Sequence, residues 1–272
     1  MPELPEVEVT MRGIRPALEN AVITDVWTDG MKLREPIPNE LDRLIDSKVE
    51  GLSRRAKYIL LKTSAGTLVI HLGMSGHLSV LASPGPRIKH DHFELTLDSG
   101  TVIRLNDARR FGLLGYVPPG EDPLASKWLC GLGPEPLGSG FTPQGLFEAL
   151  SKHRCTVKQA IMDQEVVVGV GNIYASEVLF LSGVRPDRRA CDVTLDECEK
   201  LCAHIRETLR AAIAKGGTTI HTFQGADGKM GYFVQDLNVY GHKGEPCVRC
   251  GTPIEEKTIG QRSTYFCPRC QK

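Results

Sequence analysis

The length, composition and charge of the chain exclude several classes of protein. Its 272 residues, 41% hydrophobic and 24% charged, are typical of a globular protein with one large domain or two ordinary ones. No run approaches the roughly 20 apolar residues of a membrane span, and the acidic, proline-broken start MPELPEVEV resembles neither a signal nor a transit peptide. We therefore expect a cytoplasmic protein with no membrane partner and reduced cysteines. The zero net charge argues mildly against a nucleic-acid partner, although basic residues outnumber acidic ones eight to five from Lys215 to the end.

Residues 1–117 are predicted to form a β-rich domain that begins with a helix. Apolar residues recur at helical spacing from Glu6 to Leu18, which predicts a helix packed on a sheet. Two hairpins are predicted after it, because paired apolar segments rich in β-forming residues flank short turns. The predicted strand pairs are Tyr58–Thr63 with Thr67–Leu72, and Phe93–Leu97 with Thr101–Leu105.

The second half of the chain changes from strand to helix periodicity. Residues 118–141 are dense in Gly and Pro and are interpreted as a linker. A glycine-rich loop, Gly225 to Gly231, leads from the helical region into a small cysteine-containing tail, so we expect an α+β protein of two domains. The predicted helices are Phe147–Leu150, Val157–Met162, Ile173–Leu181 and Leu195–Ala214.

Two Cys-x2-Cys pairs lie in the tail. Cys247 and Cys250 are separated by sixteen residues from Cys267 and Cys270, which is the spacing of a zinc ribbon. Four cysteine ligands leave no open coordination position, so we expect one structural zinc ion, which supplies folding energy to a tail too short to fold alone. The other five cysteines lack such a spacing and are interpreted as small packing residues: Cys130, Cys155, Cys191, Cys198 and Cys202.

Four further motifs precede the ribbon in order. They are MPELPEVE at the start, HLGMSG at 71–76, DARRFG at 107–112 and VVGVGNIYASE at 167–177. Together with the ribbon they make the sequence resemble, over essentially its whole length, the formamidopyrimidine-DNA glycosylase family of bacterial repair enzymes. The resemblance implies removal of 8-oxoguanine and formamidopyrimidines from double-stranded DNA, followed by strand cutting through β,δ-elimination. It also implies a monomer that associates with the bacterial nucleoid through its substrate.

The resemblance implies a specific domain order. An N-terminal β-sandwich with a helix spans 1–117, and the linker spans 118–141. A helix–two-turn–helix DNA-binding domain with a lesion-recognition loop spans 142–239, and a zinc-ribbon β-hairpin spans 240–272. The recognition loop corresponds to about Thr218–Tyr232, where His221 stands in place of a lysine of a close relative. A flexible connection to the ribbon fits the glycines of this segment equally well.

The N-terminus carries two interpretations. On the residues alone, a proline at the first helical position with acids in the first turn is favoured. The resemblance instead makes Pro2, exposed by removal of Met1, a nucleophile whose amine forms a Schiff base at the sugar C1′. An α-amine titrates at about pH 7.7–8.0, so part of it is unprotonated at neutral pH. Glu3 is implied to protonate the opened sugar, and Glu6 is implied to belong to the DNA-binding residues.

Several basic and polar residues are implied to bind the DNA backbone. Lys57, by itself a solvated lysine, matches a family residue that contacts the phosphate beside the lesion and supports β-elimination. Arg262 matches the finger arginine, whose guanidinium binds phosphates bidentately. His90 is also implied to contact DNA, as is one of Lys152, His153 and Arg154, among which Arg154 is preferred.

The stretch VVVGVGNIYASE mimics a dinucleotide-binding fingerprint, but Tyr174 stands in place of its third glycine and the surroundings are helical. Asn172 is therefore interpreted as the cap of a helix whose free N–H groups face a phosphate. The resemblance implies that Asn172 and Lys158 both bind the DNA backbone.

The motifs HLGMSG and DARRFG each predict a turn that leaves a strand. A base extruded from the duplex leaves a hole that forfeits stacking. The flexible side chain of Met74 suits that hole, and Phe111 is suited to wedge between base steps. Arg109 offers only hydrogen-bond donors, which match cytosine O2 and N3 on the unpaired strand. The alternative is a buried methionine and phenylalanine beside a surface arginine.

Two other functions compete with purine repair. One is the related endonuclease VIII, which prefers oxidised pyrimidines and starts with PEG rather than the PEL of this chain. The other is a non-enzymatic zinc-ribbon DNA-binding protein, which needs neither Pro2 nor Glu3.

Overall fold

A computed structural model describes residues 2–217 and 237–272 of the chain. The described residues form two compact units. Residues up to Cys130, together with Lys215–Gly217, belong to the first unit, and Gly131–Ala214 and residues 237–272 belong to the second. Within the described residues, no helix combines the length and the apolar character needed to cross a membrane.

Two antiparallel four-stranded sheets make up most of the first unit as it is described. Their strand orders are β1-β6-β7-β5 and β2-β3-β4-β8. One hydrophobic cluster takes side chains from both sheets and from the helix α1, which confirms the predicted β-sandwich with a helix. The elements are α1 Leu4–Leu18, β1 Ile23–Thr28, a 3-10 helix Asn39–Leu44, β2 Val49–Arg55, β3 Tyr58–Thr63, β4 Gly66–His71, β5 His77–Leu81, β6 Asp91–Leu97, β7 Val102–Asn106, β8 Leu113–Val117 and a 3-10 helix Pro123–Ala125.

Both predicted hairpins are present in this unit. Strand β3 pairs with β4 from Tyr58 opposite His71 to Thr63 opposite Gly66. Strand β6 pairs with β7 in the same way around the turn at Asp98–Gly100. These hairpins were predictable because their apolar residues and turn residues are adjacent in sequence.

The two tryptophans of the chain occupy half-buried positions in the first unit. The Arg87 guanidinium lies 3.9 Å from the centre of the Trp27 ring. The Trp128 ring lies against Gly115, where a Cβ atom would approach the ring to 2.4 Å, so only glycine fits there.

The second unit is helical and ends in a β-hairpin. The predicted bounds of α3 and α5 are confirmed. Helix α2 begins four residues before the predicted Phe147, because Thr142 caps it by accepting the Gly145 N–H and Pro143 occupies the first helical position. The elements are α2 Pro143–Leu150, α3 Val157–Met162, α4 Asn172–Ser182, a 3-10 helix Ala190–Asp192, α5 Leu195–Ala214, β9 Glu255–Ile259 and β10 Arg262–Phe266.

A buried carboxylate on α4 fixes the chain where it enters the tail. Glu177 Oε2 accepts the backbone N–H and the side-chain amide of Asn238 at 2.8 and 2.9 Å. Its Oε1 accepts the N–H groups of Val239 and Tyr240, both at 2.9 Å. These bonds were not predictable from local sequence patterns, because Glu177 and its partners are about sixty residues apart.

Candidate functional site

The N-terminus places Pro2 outside α1. The helix begins at Leu4 and its cap is Glu3, so the proline of the first turn is Pro5 and not Pro2. The interpretation of Pro2 as a first-turn helix proline is therefore wrong. Pro2 is buried, and it directly precedes the residue that caps the helix.

Two buried carboxylates lie directly after Pro2. Glu3 and Glu6 form a capping box, in which each side chain accepts the backbone N–H of the other residue. The Glu3 N–H donates to Glu6 Oε2 at 2.9 Å, and both side chains are 1% exposed. The capping box starts α1 two residues earlier than predicted and fixes the backbone that follows Pro2.

Lys57 lies in the tight turn between β2 and β3. Arg55 pairs with Tyr58, so Ala56 and Lys57 form a two-residue turn, and Ala56 has the left-handed φ of 53° that such turns require. The Lys57 side chain is buried, so it is not the solvated lysine that the sequence alone suggested.

His71 lies beside Lys57 and keeps a neutral ring. Its Nδ1 accepts the Gly73 N–H at 2.9 Å and lies 3.3 Å from an Arg34 guanidinium nitrogen, while its ring packs on Tyr58. Burial, followed by the charges of Arg34 and Lys57, lowers the pKa of His71 to about 3. Because Nδ1 is an acceptor, the ring proton resides on Nε2. His71 and Arg34 were missed in the sequence: the first was only a letter of HLGMSG, and nothing marked the second.

Two neighbouring loops carry Met74, Arg109 and Phe111. We call Leu72–Gly76 and Asp107–Gly112 the insertion loops; they connect β4 to β5 and β7 to β8. Phe111 is 43% exposed, Arg109 is exposed and Met74 is half-buried. The Arg109 guanidinium carbon lies 5.0 Å from the centre of the Phe111 ring. The loops thus bring together the three residues that the two motifs singled out.

His90 lies next to the second insertion loop. It has a left-handed φ of 75°, and its carbonyl accepts the Asp107 N–H at 2.9 Å. This contact ties the backbone of a predicted DNA-binding residue to the start of DARRFG.

Asn172 is not the cap of α4, which corrects the prediction. The cap is Gly171, and Asn172 is the first helical residue. Its Oδ1 accepts from Lys158 Nζ at 2.6 Å, and its Nδ2 donates to the Ser263 carbonyl at 3.0 Å. The Asn172 side chain therefore joins α4 to β10 instead of closing its own helix.

Lys158 is the centre of this junction. Its side chain is 1% exposed, and Nζ donates to Asn172, to the Ser263 carbonyl at 3.1 Å and to Thr264 Oγ1 at 2.6 Å. An ammonium group can donate three hydrogen bonds, which lets one side chain join all three oxygen atoms. Lys158 thus holds Asn172 and the hairpin in one arrangement.

Arg262 lies at the tip of the β9–β10 hairpin. The turn consists of Gly260 and Gln261, whose φ values of 54° and 60° are those of a type I′ turn. Arg262 follows the turn as the first residue of β10, and its side chain is exposed. The hairpin therefore presents an arginine at its end, as predicted for a finger.

The segment after α2 carries Lys152, His153 and Arg154, the three alternatives for one predicted DNA contact. Lys152 and Arg154 are exposed, whereas His153 is half-buried and its carbonyl accepts the Cys191 N–H. Arg154 stays a prediction. The predicted recognition loop, with His221, lies outside the described residues.

The four tail cysteines form one cluster of sulfur atoms. Their sulfur atoms all lie within 4.8 Å of one another, and the Cys247–Cys270 and Cys250–Cys267 pairs are 3.9 and 3.5 Å apart. Zinc–sulfur bonds of about 2.3 Å in a tetrahedron require sulfur separations of about 3.8 Å, so the cluster fits zinc. Hydrogen bonds from the side chain and backbone of Thr252 lower the pKa of Cys250 to about 6, whereas burial and the neighbouring cysteines raise the pKa of Cys270 to about 12.

Backbone N–H groups support the sulfur atoms. The Arg249 N–H donates to Cys247 Sγ and the Cys270 N–H donates to Cys267 Sγ, both at 3.4 Å. Such bonds orient metal ligands. The site therefore holds one structural zinc ion.

The remaining cysteines differ in exposure, and Cys155 and Cys191 are half-buried. Burial raises the pKa of Cys198 to about 12 and that of Cys202 to about 11, so both are inert packing residues of α5, as predicted. Cys130 is exposed, which makes the packing interpretation wrong for that residue.

Family models match most of the chain, and individual relatives match all of it. Residues 1–114 match the formamidopyrimidine-DNA glycosylase N-terminal domain, residues 132–224 match its H2TH domain, and residues 244–272 match a zinc finger found in FPG and IleRS. The formamidopyrimidine-DNA glycosylase of Vibrio vulnificus strain CMCP6 is 49% identical over 271 residues, which cover 100% of both chains.

Solved structures are similar over the same length. Wild-type Lactococcus lactis Fpg in complex with DNA containing N7-benzyl-Fapy-dG has a TM-score of 0.91 and 31% identity, with 100% of each chain covered. The complex of Lactococcus lactis Fpg with DNA containing an abasic site has a TM-score of 0.89 and 31% identity, with 99% of each chain covered.

Proposed function

The chain belongs to the formamidopyrimidine-DNA glycosylase family, and we propose that it excises oxidised purines from DNA and then cuts the abasic strand. The observation that carries this proposal is the position of Pro2 directly before the helix cap, beside the buried carboxylates of Glu3 and Glu6. A first-turn helix proline needs no such arrangement. The DNA complexes of the Lactococcus lactis relative, one with a Fapy-dG derivative and one with an abasic site, support both steps.

Pro2 is the nucleophile of the proposed reaction. After removal of Met1, its unprotonated amine attacks the sugar C1′, and the base leaves with the bond electrons and takes up the proton that the amine nitrogen loses. The bond from C1′ to the ring oxygen then breaks as Glu3 protonates that oxygen, and the open sugar is held as an iminium ion. The iminium makes the C2′ proton acidic, so the 3′ phosphate is eliminated first and the 5′ phosphate next. The product is a one-nucleotide gap.

Other residues bind and distort the DNA. Lys57 contacts the phosphate beside the lesion and Arg262 binds phosphates bidentately. Met74 fills the hole left by the extruded base and Phe111 wedges between base steps, while Arg109 pairs with the cytosine that has lost its partner. The remaining proposed DNA-binding residues are Glu6, His90, Arg154, Lys158 and Asn172.

Lys158 and Asn172 are proposed to bind the DNA backbone together, from the junction that their hydrogen bonds form with Ser263 and Thr264. These bonds also fix the residues beside Arg262. The zinc ion also fixes the hairpin through its four thiolate ligands, which leave no coordination position for substrate.

We extend the proposal to organisation and location. The division into 1–117, a linker at 118–141, 142–239 and 240–272 is supported by the three matched family models. The protein acts as a cytoplasmic monomer that associates with the nucleoid through its DNA substrate.

The test uses duplexes with one defined base. Wild-type protein is incubated with 8-oxoguanine opposite cytosine, with an oxidised pyrimidine, or with undamaged DNA. Release of 8-oxoguanine and a one-nucleotide gap with phosphate at both ends are expected only with the first duplex. Cutting confined to the pyrimidine duplex would indicate an endonuclease VIII-like enzyme, and binding without cutting would indicate a DNA-binding protein.

A further inference from the structure

A fully buried carboxylate joins the two insertion loops. Asp107 is 0% exposed, and its Oδ1 accepts the Ser75 hydroxyl at 2.5 Å. Its Oδ2 accepts the Gly112 N–H at 2.7 Å. One side chain therefore bonds to the first loop beside Met74 and to the end of the second loop beside Phe111.

The same two residues also place Arg109. The Arg109 N–H lies 3.1 Å from Ser75 Oγ and 3.3 Å from Asp107 Oδ1, so it donates to both loops at once. The backbone that precedes the Arg109 side chain is thus fixed by the neighbouring loop as well as by its own.

The loops also meet backbone to backbone. Gly73 has a left-handed φ of 63°, and a Cβ atom at this position would lie 2.3 Å from the Phe111 carbonyl carbon and 2.4 Å from the Gly112 nitrogen. Only glycine permits this approach. The two loop backbones are therefore in direct contact at Gly73.

A second pair of side chains anchors Asp107 from within the unit. His92 Nε2 lies 3.0 Å from the Asp107 carbonyl oxygen, and His92 Nδ1 lies 2.6 Å from Asp29 Oδ2. His92 is buried, so the carbonyl group at the start of the second loop contacts a packed ring and not water. A buried carboxylate is costly unless its oxygens are hydrogen-bonded, and both Asp107 oxygens are.

We propose that Asp107 and Ser75 are positioning residues that hold the two insertion loops at one separation, so that Met74, Arg109 and Phe111 enter the duplex as a unit. The proposal rests on the proposed function, because it assigns these loops to the extruded-base site. Its physical basis is preorganisation. The loops are ordered when the protein folds, so the entropy cost of ordering them is not added to the free energy needed to extrude the base.

The first test removes one hydroxyl group. Ser75→Ala is expected to slow excision of 8-oxoguanine opposite cytosine about tenfold, the effect of losing a hydrogen bond to a charged group. It is expected to weaken the preference for cytosine over adenine opposite the lesion. Cutting of a preformed abasic site should change less than about twofold, since less unstacking is needed there. Ser75→Thr, which keeps the hydroxyl, should restore both excision and preference.

Matched controls separate positioning from a general loss of structure. Ser99→Ala removes an exposed hydroxyl in the β6–β7 turn and should change neither rate. Asp107→Asn should act like Ser75→Ala, whereas Asp98→Asn, which alters a surface carboxylate that also accepts two backbone N–H groups, should not. If Asp107→Asn fails to fold, the Ser75 variants decide alone.

Two results would overturn the proposal. One is a Ser75→Ala enzyme with unchanged excision and unchanged opposite-base preference. The other is an equal slowing of excision and abasic cutting, which would indicate a structural role only. Failure of wild-type protein to cut either substrate would instead refute the proposed function, so the two failures are distinguishable.

Discussion

The insertion loops of the first unit and the finger hairpin of the second are stabilised by different means. The insertion loops extend from two sheets that share a continuous hydrophobic core with α1, and hydrogen bonds to Asp107 fix them there. In the part of the chain that the structure describes, the tail packs around a cluster of five buried residues, two of which, Cys247 and Cys267, are zinc ligands.

This difference shows how far the structure of each region can form without a metal ion. A large core holds its loops in place, and a few hydrogen bonds then set their details. A small core cannot offset the conformational entropy of ordering a tail, so the metal supplies the missing free energy. The two regions should therefore respond to different perturbations.

The largest expected effect concerns the amine of Pro2 in the first unit. An N-terminal extension that blocks the amine should abolish strand cutting and borohydride trapping on abasic DNA, because no iminium can form. Binding through the second unit should persist. The control is the same protein after the extension is cleaved off to expose Pro2. Mass spectrometry should place the trapped adduct on Pro2, and an adduct on Lys57 would contradict the assignment.

Loss of the metal should affect only the second region. Cys247→Ser should lower the zinc content from one ion per chain to none and remove most of the DNA affinity, because the hairpin that carries Arg262 loses its folding energy. Calorimetry should still show cooperative unfolding of the first unit. Cys130→Ser, a change at an exposed cysteine, is the control. Retention of the metal and of full affinity by the Cys247 variant would refute the zinc assignment.

Arg109 tests whether the second insertion loop recognises the opposite base. Arg109→Ala should slow excision opposite cytosine by about tenfold or more, the usual value of a good bidentate contact to a base. The preference for cytosine over adenine should shrink with it. Excision rates with the two opposite bases provide the measurement, and Arg12→Ala, at an exposed arginine on α1, is the control. A full cytosine preference in the Arg109 variant would assign base recognition to another residue.

Phe111 tests whether the loop acts as a wedge. Phe111→Ala should slow excision from duplex DNA several-fold, because the kinked base step loses the ring that holds it open. Cutting of a preformed abasic site should barely change. Leu124→Ala, at another exposed apolar side chain of the first unit, should leave both rates unaltered. Equal slowing of the two reactions would argue against a wedge.

The smallest expected effect is a pH dependence due to His71. Its pKa is about 3 in the folded protein and about 6.5 when unfolded, so protons bind preferentially to the unfolded chain between these values. Stability should fall as the pH drops below about 6.5, by up to about 2 kcal/mol at pH 5. The His71→Gln variant should lack this contribution. Its free energy of unfolding, measured with urea, should therefore differ less between pH 7 and pH 5 than that of the wild-type protein. An equal difference in both proteins would contradict it.

The sequence predicted those features whose residues lie close together along the chain. The zinc ligands were fixed by their spacing, and the bounds of α3 and α5 by their periodicity. Asn172 was misjudged because an asparagine before a helix is most often a local cap, whereas its partners here are Lys158 and Ser263. Nothing in a local pattern indicates a bond that spans 91 residues.

The same limit applies in the first unit. The motifs HLGMSG and DARRFG identified Met74, Arg109 and Phe111 through the family resemblance. That Ser75 and Asp107 bond to each other across 32 residues follows only from the pairing of β5 with β7. Arg34 had no sequence signal, because its relation to His71 arises from the fold of the sandwich.

The positions of Trp27 and Trp128 give the first unit a spectroscopic reporter of its own. Both tryptophans of the chain belong to the first unit, where one ring stacks on a guanidinium and the other lies on a glycine. Indole emission therefore follows the melting of the β-sandwich alone, while the second unit signals its own melting through release of zinc to a coloured chelator. Coincidence of the two signals along a denaturant gradient would mark a single cooperative transition, and their separation would measure how far each half of the chain folds by itself.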